Sequence, residues 1–108
     1  MRRFERELEN NNFMCSECHK CKKIVWPPSD FCSACFGLVG WRMISREGCL
    51  LEFSQKNGEW FGIAEFEGQI RILGTIIDGN GLEIGQKVYL EKCGYDGGEK
   101  FLFRAKKD

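Results

Sequence analysis

Two Cys-x-x-Cys knuckles, Cys18-His19-Lys20-Cys21 and Cys32-Ser33-Ala34-Cys35, stand ten residues apart in a chain of 108. Each knuckle turns two sulfurs toward one point. Two knuckles at hairpin distance supply the four thiolates of one tetrahedral ion, so the pattern predicts a structural Zn2+. Four sulfurs leave no open coordination position, which makes the ion a staple rather than a reaction centre. A short chain buries a modest share of its surface, and a metal that binds only the folded form contributes to folding directly. The first knuckle is open to two readings. Cys15-Ser16-Glu17-Cys18 is also a Cys-x-x-Cys, so Cys15 competes with Cys21, and His19 offers a further nitrogen.

Residues 13–37 hold five of the seven cysteines and both prolines, with no persistent helical or strand period. They read as the metal ribbon. An odd number of cysteines cannot pair completely. The charged N-terminus, Met-Arg-Arg-Phe-Glu-Arg, lacks the apolar stretch of a secretory signal, and no apolar run approaches the roughly 20 residues of a membrane helix. A cytoplasmic, metal-binding protein is the expectation. Cys49 and Cys93 lie in strand-like surroundings and read as small buried apolar side chains.

Residues 1–12 carry Phe4 and Leu8 four apart, a helix-like spacing, and end at Asn10-Asn11-Asn12. They are expected to form one short helix resting on another part of the molecule. Residues 38–108 change character to β. Apolar segments at 41–54, 60–66, 69–77, 87–92 and 100–105 are separated by turn residues such as Asn57-Gly58, Glu67-Gly68 and Asp78-Gly79-Asn80-Gly81. The fold class is therefore mainly β. Five segments suit the five-stranded OB-fold barrel, and an SH3-like barrel fits the pattern nearly as well.

Sixteen basic and sixteen acidic residues cancel, which argues against a general nucleic-acid footprint. There is no phosphate-cradling glycine motif and no nucleophile elbow. Glu52 and Glu65 are the only candidates for acid–base work, and no catalytic residue is assigned. Lys20, Lys22, Lys23, Arg42 and Arg46 sit in or beside the ribbon, interleaved with Trp26, Phe31, Phe36 and Trp41. Lys22, Lys23, Trp26, Arg42 and Arg46 are the candidate ligand- or partner-binding residues. The competing reading is solvated charge, with the aromatics packed between ribbon and barrel.

Nearly the whole chain resembles a zinc-ribbon plus OB-fold family associated with acyl-CoA enzymes, domain-of-unknown-function family thirty-five. The resemblance rests on Cys18-His19-Lys20-Cys21, five residues, Pro27-Pro28, three residues, and Cys32-Ser33-Ala34-Cys35. It continues through Trp41 and Ser45–Ser54 as a first barrel strand, then Phe61–Phe66, Ile72-Leu73-Gly74 and Leu82–Val88. The resemblance implies Cys18, Cys21, Cys32 and Cys35 as the zinc ligands, with a rubredoxin-like ribbon before the barrel. Lys22 departs from the glycine usual after the knuckle, and Ser29 from the arginine common after the proline pair. The implied role is a non-catalytic scaffold that binds thiolase-type enzymes. In archaea such proteins bridge an acetoacetyl-CoA thiolase and a hydroxymethylglutaryl-CoA (HMG-CoA) synthase of the mevalonate pathway around a shared CoA-binding region. Bacterial relatives accompany lipid-transfer-protein-like thiolases and aldolases, or hydratases. A ribbon and barrel that bind nucleic acid are the alternative.

Overall fold

A computed structural model describes residues 2–106 as one short helix followed by eight strands. Helix α1 (Arg3–Glu9) starts where the Arg2 amide donates to the Glu5 carboxylate at 3.3 Å. It stops at the asparagine run because Asn11 takes the left-handed φ of 61°. The Asn12 amide then reaches the Glu7 carbonyl at 2.8 Å, and the Asn11 amide the Leu8 carbonyl at 2.9 Å, the Schellman pattern. Leu8 is fully buried and Phe4 half-buried, so the helical spacing marks the face that packs. The helix lies against the barrel strand β7 (Lys87–Tyr95).

The ribbon is a three-stranded sheet, β1 (Met14–Cys18), β2 (Ile24–Val25) and β3 (Val39–Met43), in the order β2-β1-β3. This corrects two expectations. Residues 13–37 contain regular strands after all, and Val39–Met43 belongs to the ribbon rather than to the first barrel strand. The register explains both points. Met14 through Cys18 pair antiparallel with Met43 through Val39, so the ribbon closes on residues beyond its expected boundary at 37.

The barrel comprises β4 (Glu47–Lys56), β5 (Glu59–Phe66), β6 (Ile70–Ile77), β7 and β8 (Glu99–Ala105). It closes in the order β4-β5-β6-β8-β7, antiparallel except for β6 with β8. This Greek-key closure of five strands is the OB-fold barrel. Asn57 and Gly58 both take positive φ (52° and 81°) and join β4 to β5 by a two-residue turn, as the sequence predicts. Leu50, Ala64, Phe66, Ile72, Leu90 and Phe103 fill the interior. Gly62 and Gly74 face each other across β5 and β6. A Cβ at Gly62 would lie 2.6 Å from the Glu52 carbonyl, and one at Gly74 2.8 Å from that of Phe101. Among the described residues, no helix is long and apolar enough to cross a membrane.

Helix, ribbon and barrel meet at Phe13, which is fully buried. Its ring makes edge contacts with Phe66 at 5.2 Å, Trp26 at 5.6 Å and Phe101 at 6.2 Å, and Trp26 in turn meets Phe4 at 5.1 Å. Polar contacts close the same joint. Arg42 on β3 forks onto Glu67 in the β5–β6 turn at 2.8 and 3.0 Å, and the Ser45 amide donates to the same carboxylate at 3.0 Å. Arg46 donates to the Asn11 carbonyl and, at 3.2 Å, to the Leu90 carbonyl.

Two predictions follow from this joint. Phe13→Ala removes a buried ring shared by three elements and is expected to cost about 3–5 kcal/mol, read from urea denaturation. The Arg42 guanidinium holds the Glu67 carboxyl below its ordinary 4.5, against an opposing push from burial. A lowered folded value means that the pair stabilises above 4.5 and that this contribution is lost as pH falls through the folded value. Glu67→Gln is therefore expected to lower stability at pH 7 by about 1 kcal/mol or less, and to converge with the parent in acid.

Candidate metal centre

The two knuckles fold alike, although they share only their cysteines. The Cys18 amide donates to the Lys23 carbonyl at 2.9 Å, and the Lys22 amide donates back to the Cys18 carbonyl at 3.0 Å. The Cys32 amide likewise donates to the Gly37 carbonyl at 3.0 Å, and the Phe36 amide to the Cys32 carbonyl at 2.7 Å. In each, the fourth residue after the first cysteine takes a left-handed backbone, φ 63° at Lys22 and 58° at Phe36. That geometry favours glycine. It accounts physically for the glycine that the resemblance expects at position 22, and Lys22 adopts the conformation without one.

These turns bring four sulfurs together. Cys18 and Cys35 are 3.4 Å apart, Cys21 and Cys32 3.7 Å, and Cys21 and Cys35 3.9 Å, with all four within 4.8 Å of one another. A tetrahedral ion with the 2.3 Å bonds of zinc to sulfur spaces its ligands about 3.8 Å apart, so the donor set and its dimensions fit Zn2+. The amide of Cys21 holds the Cys18 thiol down to about 6, and the amides of Cys35 and Ala34 lower that of Cys32. These shifts favour the thiolate, the form that binds metal, at Cys18 and Cys32, whereas Cys35, despite the Gly37 amide that lowers it, is pushed up to about 11 by burial and the neighbouring sulfurs. Cys18 and Cys32 are buried while Cys21 and Cys35 reach the surface.

The structure resolves the open ligand reading. Cys15 and Cys18 stand three apart on β1 and so face opposite ways. Cys15 is buried in the core that Phe13 and Phe66 also occupy, where desolvation pushes its thiol up. His19 is exposed and no member of the cluster. Cys93 is a buried core residue as expected, whereas Cys49 is half-buried, its sulfur 3.5 Å from the Gly85 carbonyl.

The candidate binding residues divide. Lys22 and Lys23 are exposed on the first knuckle. Trp26 is spent in the aromatic joint, Arg42 on Glu67 and Glu17, and Arg46 on backbone carbonyls. Each of these three makes contacts within the molecule while remaining half-buried. The competing reading, in which the aromatics pack between ribbon and barrel, does not hold for Phe31 and Phe36. Phe36 is 81% exposed, Leu38 69% and Phe31 58%. Phe31 and Leu38 are bridged across the second knuckle, so the three form an apolar ribbon tip. Leu38 is the residue that sequence reasoning missed. Its signal was an apolar side chain three residues after the last ligand, in a turn too small to bury it. Glu52 stands opposite Ile63 and diagonal to Glu65 on the outer face of β4 and β5, and Glu65 is paired with Arg71 at 3.0 Å.

Neither a family model nor a curated protein matches the chain. Solved structures do. A chain of the Ltp2-ChsH2(DUF35) aldolase superposes with a TM-score of 0.74 at 16% identity, over 97% of this chain and 96% of that one. A DUF35-family protein of unknown function from Sulfolobus solfataricus gives a TM-score of 0.63 at 19% identity, over 92% and 81%. The fold is the one those DUF35 chains share.

The cluster carries its own prediction. The apparent binding free energy of a structural zinc is on the order of 10 kcal/mol, as large as the whole stability of a small domain. Chelation or Cys18→Ser is expected to abolish the single equivalent of bound zinc and unfold the ribbon. Cys15→Ser is expected to retain full metal content, measured by elemental analysis.

Proposed function

We propose that the chain is a non-catalytic accessory subunit of the DUF35 family that docks onto a thiolase-type acyl-CoA enzyme, with Zn2+ on Cys18, Cys21, Cys32 and Cys35 as the staple of its docking ribbon. The observation that carries this reading is the exposed tip of Phe31, Phe36 and Leu38, held beside a ligand set that leaves a metal no open position. Exposed aromatics clustered on a rigid support are the usual anchors of protein interfaces.

The partner class is drawn from the fold. A chain of an aldolase complex shares this architecture over nearly its full length, which supports an enzyme partner. In the finer form of the proposal the partners are acetoacetyl-CoA thiolase and HMG-CoA synthase, joined in the cytoplasm around a shared CoA-binding region of the mevalonate pathway. Lys22 and Lys23, exposed on the first knuckle and unpaired among the described residues, are the groups that would meet CoA phosphates. The nucleic-acid alternative is less well supported. Barrel arginines Arg71 and Arg104 are paired with Glu65 and with Glu91 and Asp78.

Affinity capture from the native source with the tagged chain is expected to recover a thiolase-type enzyme, and recovery of none would overturn the reading. Phe36→Asn tolerates the left-handed turn while removing the anchor. It is expected to weaken that capture by at least about thirtyfold, with zinc content and melting temperature unchanged.

A further inference from the structure

The barrel carries a second surface feature, separate from the ribbon. An open groove of about 630 Å3 crosses the outer face of β5, β6, β8 and β7. Phe61, Leu73, Thr75 and Leu102 form its walls, and Leu73 is 67% exposed. Its size lies within the roughly 300–1,000 Å3 of small-molecule sites, which are likewise mostly apolar with a few polar groups. Barrels that bind oligonucleotides line this region with stacking rings and cations. Here Leu73 is the most exposed apolar side chain of the lining, beside Leu102 and one half-buried ring, Phe61, while the second ring, Phe101, is 8% exposed.

Charge defines one end. The register sets Lys92 opposite Leu102 and Gly94 opposite Lys100, so the two lysines stand diagonally on adjacent strands and face outward together. Like charges so placed repel. Neither lysine makes an ion pair among the described residues. Glu99, also on the rim, makes none either, so the rim keeps one net positive charge. At Gly94 the groove is open to its floor, for an added Cβ would meet nothing within 4 Å.

We infer that this groove binds an aliphatic chain ending in an anion, with the chain along Leu73 and Leu102 and the head group between Lys92 and Lys100. The hydrocarbon gains by leaving water. The anion supplies the counter-charge that the lysine pair lacks. This inference goes beyond the accessory-subunit reading and does not depend on it, since it concerns the chain without a partner.

The test is calorimetric titration of the zinc-loaded full chain with dodecanoate, dodecyl phosphate, dodecanol and dodecyltrimethylammonium, each below its micelle concentration. Saturable binding of either anion is expected, and the two anions distinguish a carboxylate from a phosphate head. Dodecanol should bind roughly tenfold more weakly and the cation should not bind. Lys92→Gln with Lys100→Gln should bring the anions down to the level of dodecanol, and Glu99→Gln should tighten them. Gly94→Val fills the floor without a clash on a strand that favours β-branched residues, so it should fold normally and lose binding. No saturable binding, binding unchanged in Gly94→Val, or equal binding of the cation would each overturn the inference. A groove that instead takes an apolar side chain of a partner protein would give the first of these results.

Discussion

The buried ring of Phe13 is the contact on which the rest of the architecture turns. It touches Phe66 and Phe101 from the barrel and Trp26 from the ribbon, and through Trp26 it reaches Phe4 on the helix. A helix of seven residues cannot hold itself together in water. A three-stranded ribbon with one two-residue strand has almost no core of its own. Both borrow the core of the barrel through this one cluster of rings. Edge contacts of this kind add directional preference to area burial, so the cluster fixes orientation as well as adhesion.

Polar groups finish what the rings begin. Arg42 and Glu67 tie the ribbon's last strand to a barrel turn, and Arg46 and Asn11 tie the helix end to β7, where the Cys93 amide also donates to Asn11 at 2.9 Å. Arg42 and Arg46, candidates for a ligand by sequence, thus also take part in assembling the molecule. The parts left free are the tip of the second knuckle and the barrel groove. They are two of the exposed apolar features among the described residues, and they lie on separate parts of the molecule.

Much of this was legible before any coordinates. The Asn-Gly turn, the alternation of β5 and the Phe4–Leu8 spacing are local signals, and local signals survive into the structure because tertiary packing agrees with them. The extent of the ribbon was not legible. Val39–Met43 carries an apolar pattern that suits a barrel strand or a ribbon strand, and only its pairing partner decides which. Trp26, Phe31 and Phe36 look alike in sequence. Trp26 lies in the joint, whereas Phe31 and Phe36 are exposed at the second knuckle.

By itself, the sequence determined the metal-ligand chemistry and the class of fold, since cysteine spacing and strand periodicity are properties of neighbouring residues. Tertiary structure decided which sulfurs converge, by turning Cys15 into the core and Cys21 toward its three partners. It also decided which charges and rings remain exposed. Exposure depends on residues distant along the chain, such as Glu67, 25 residues on from Arg42, and no local pattern encodes that distance.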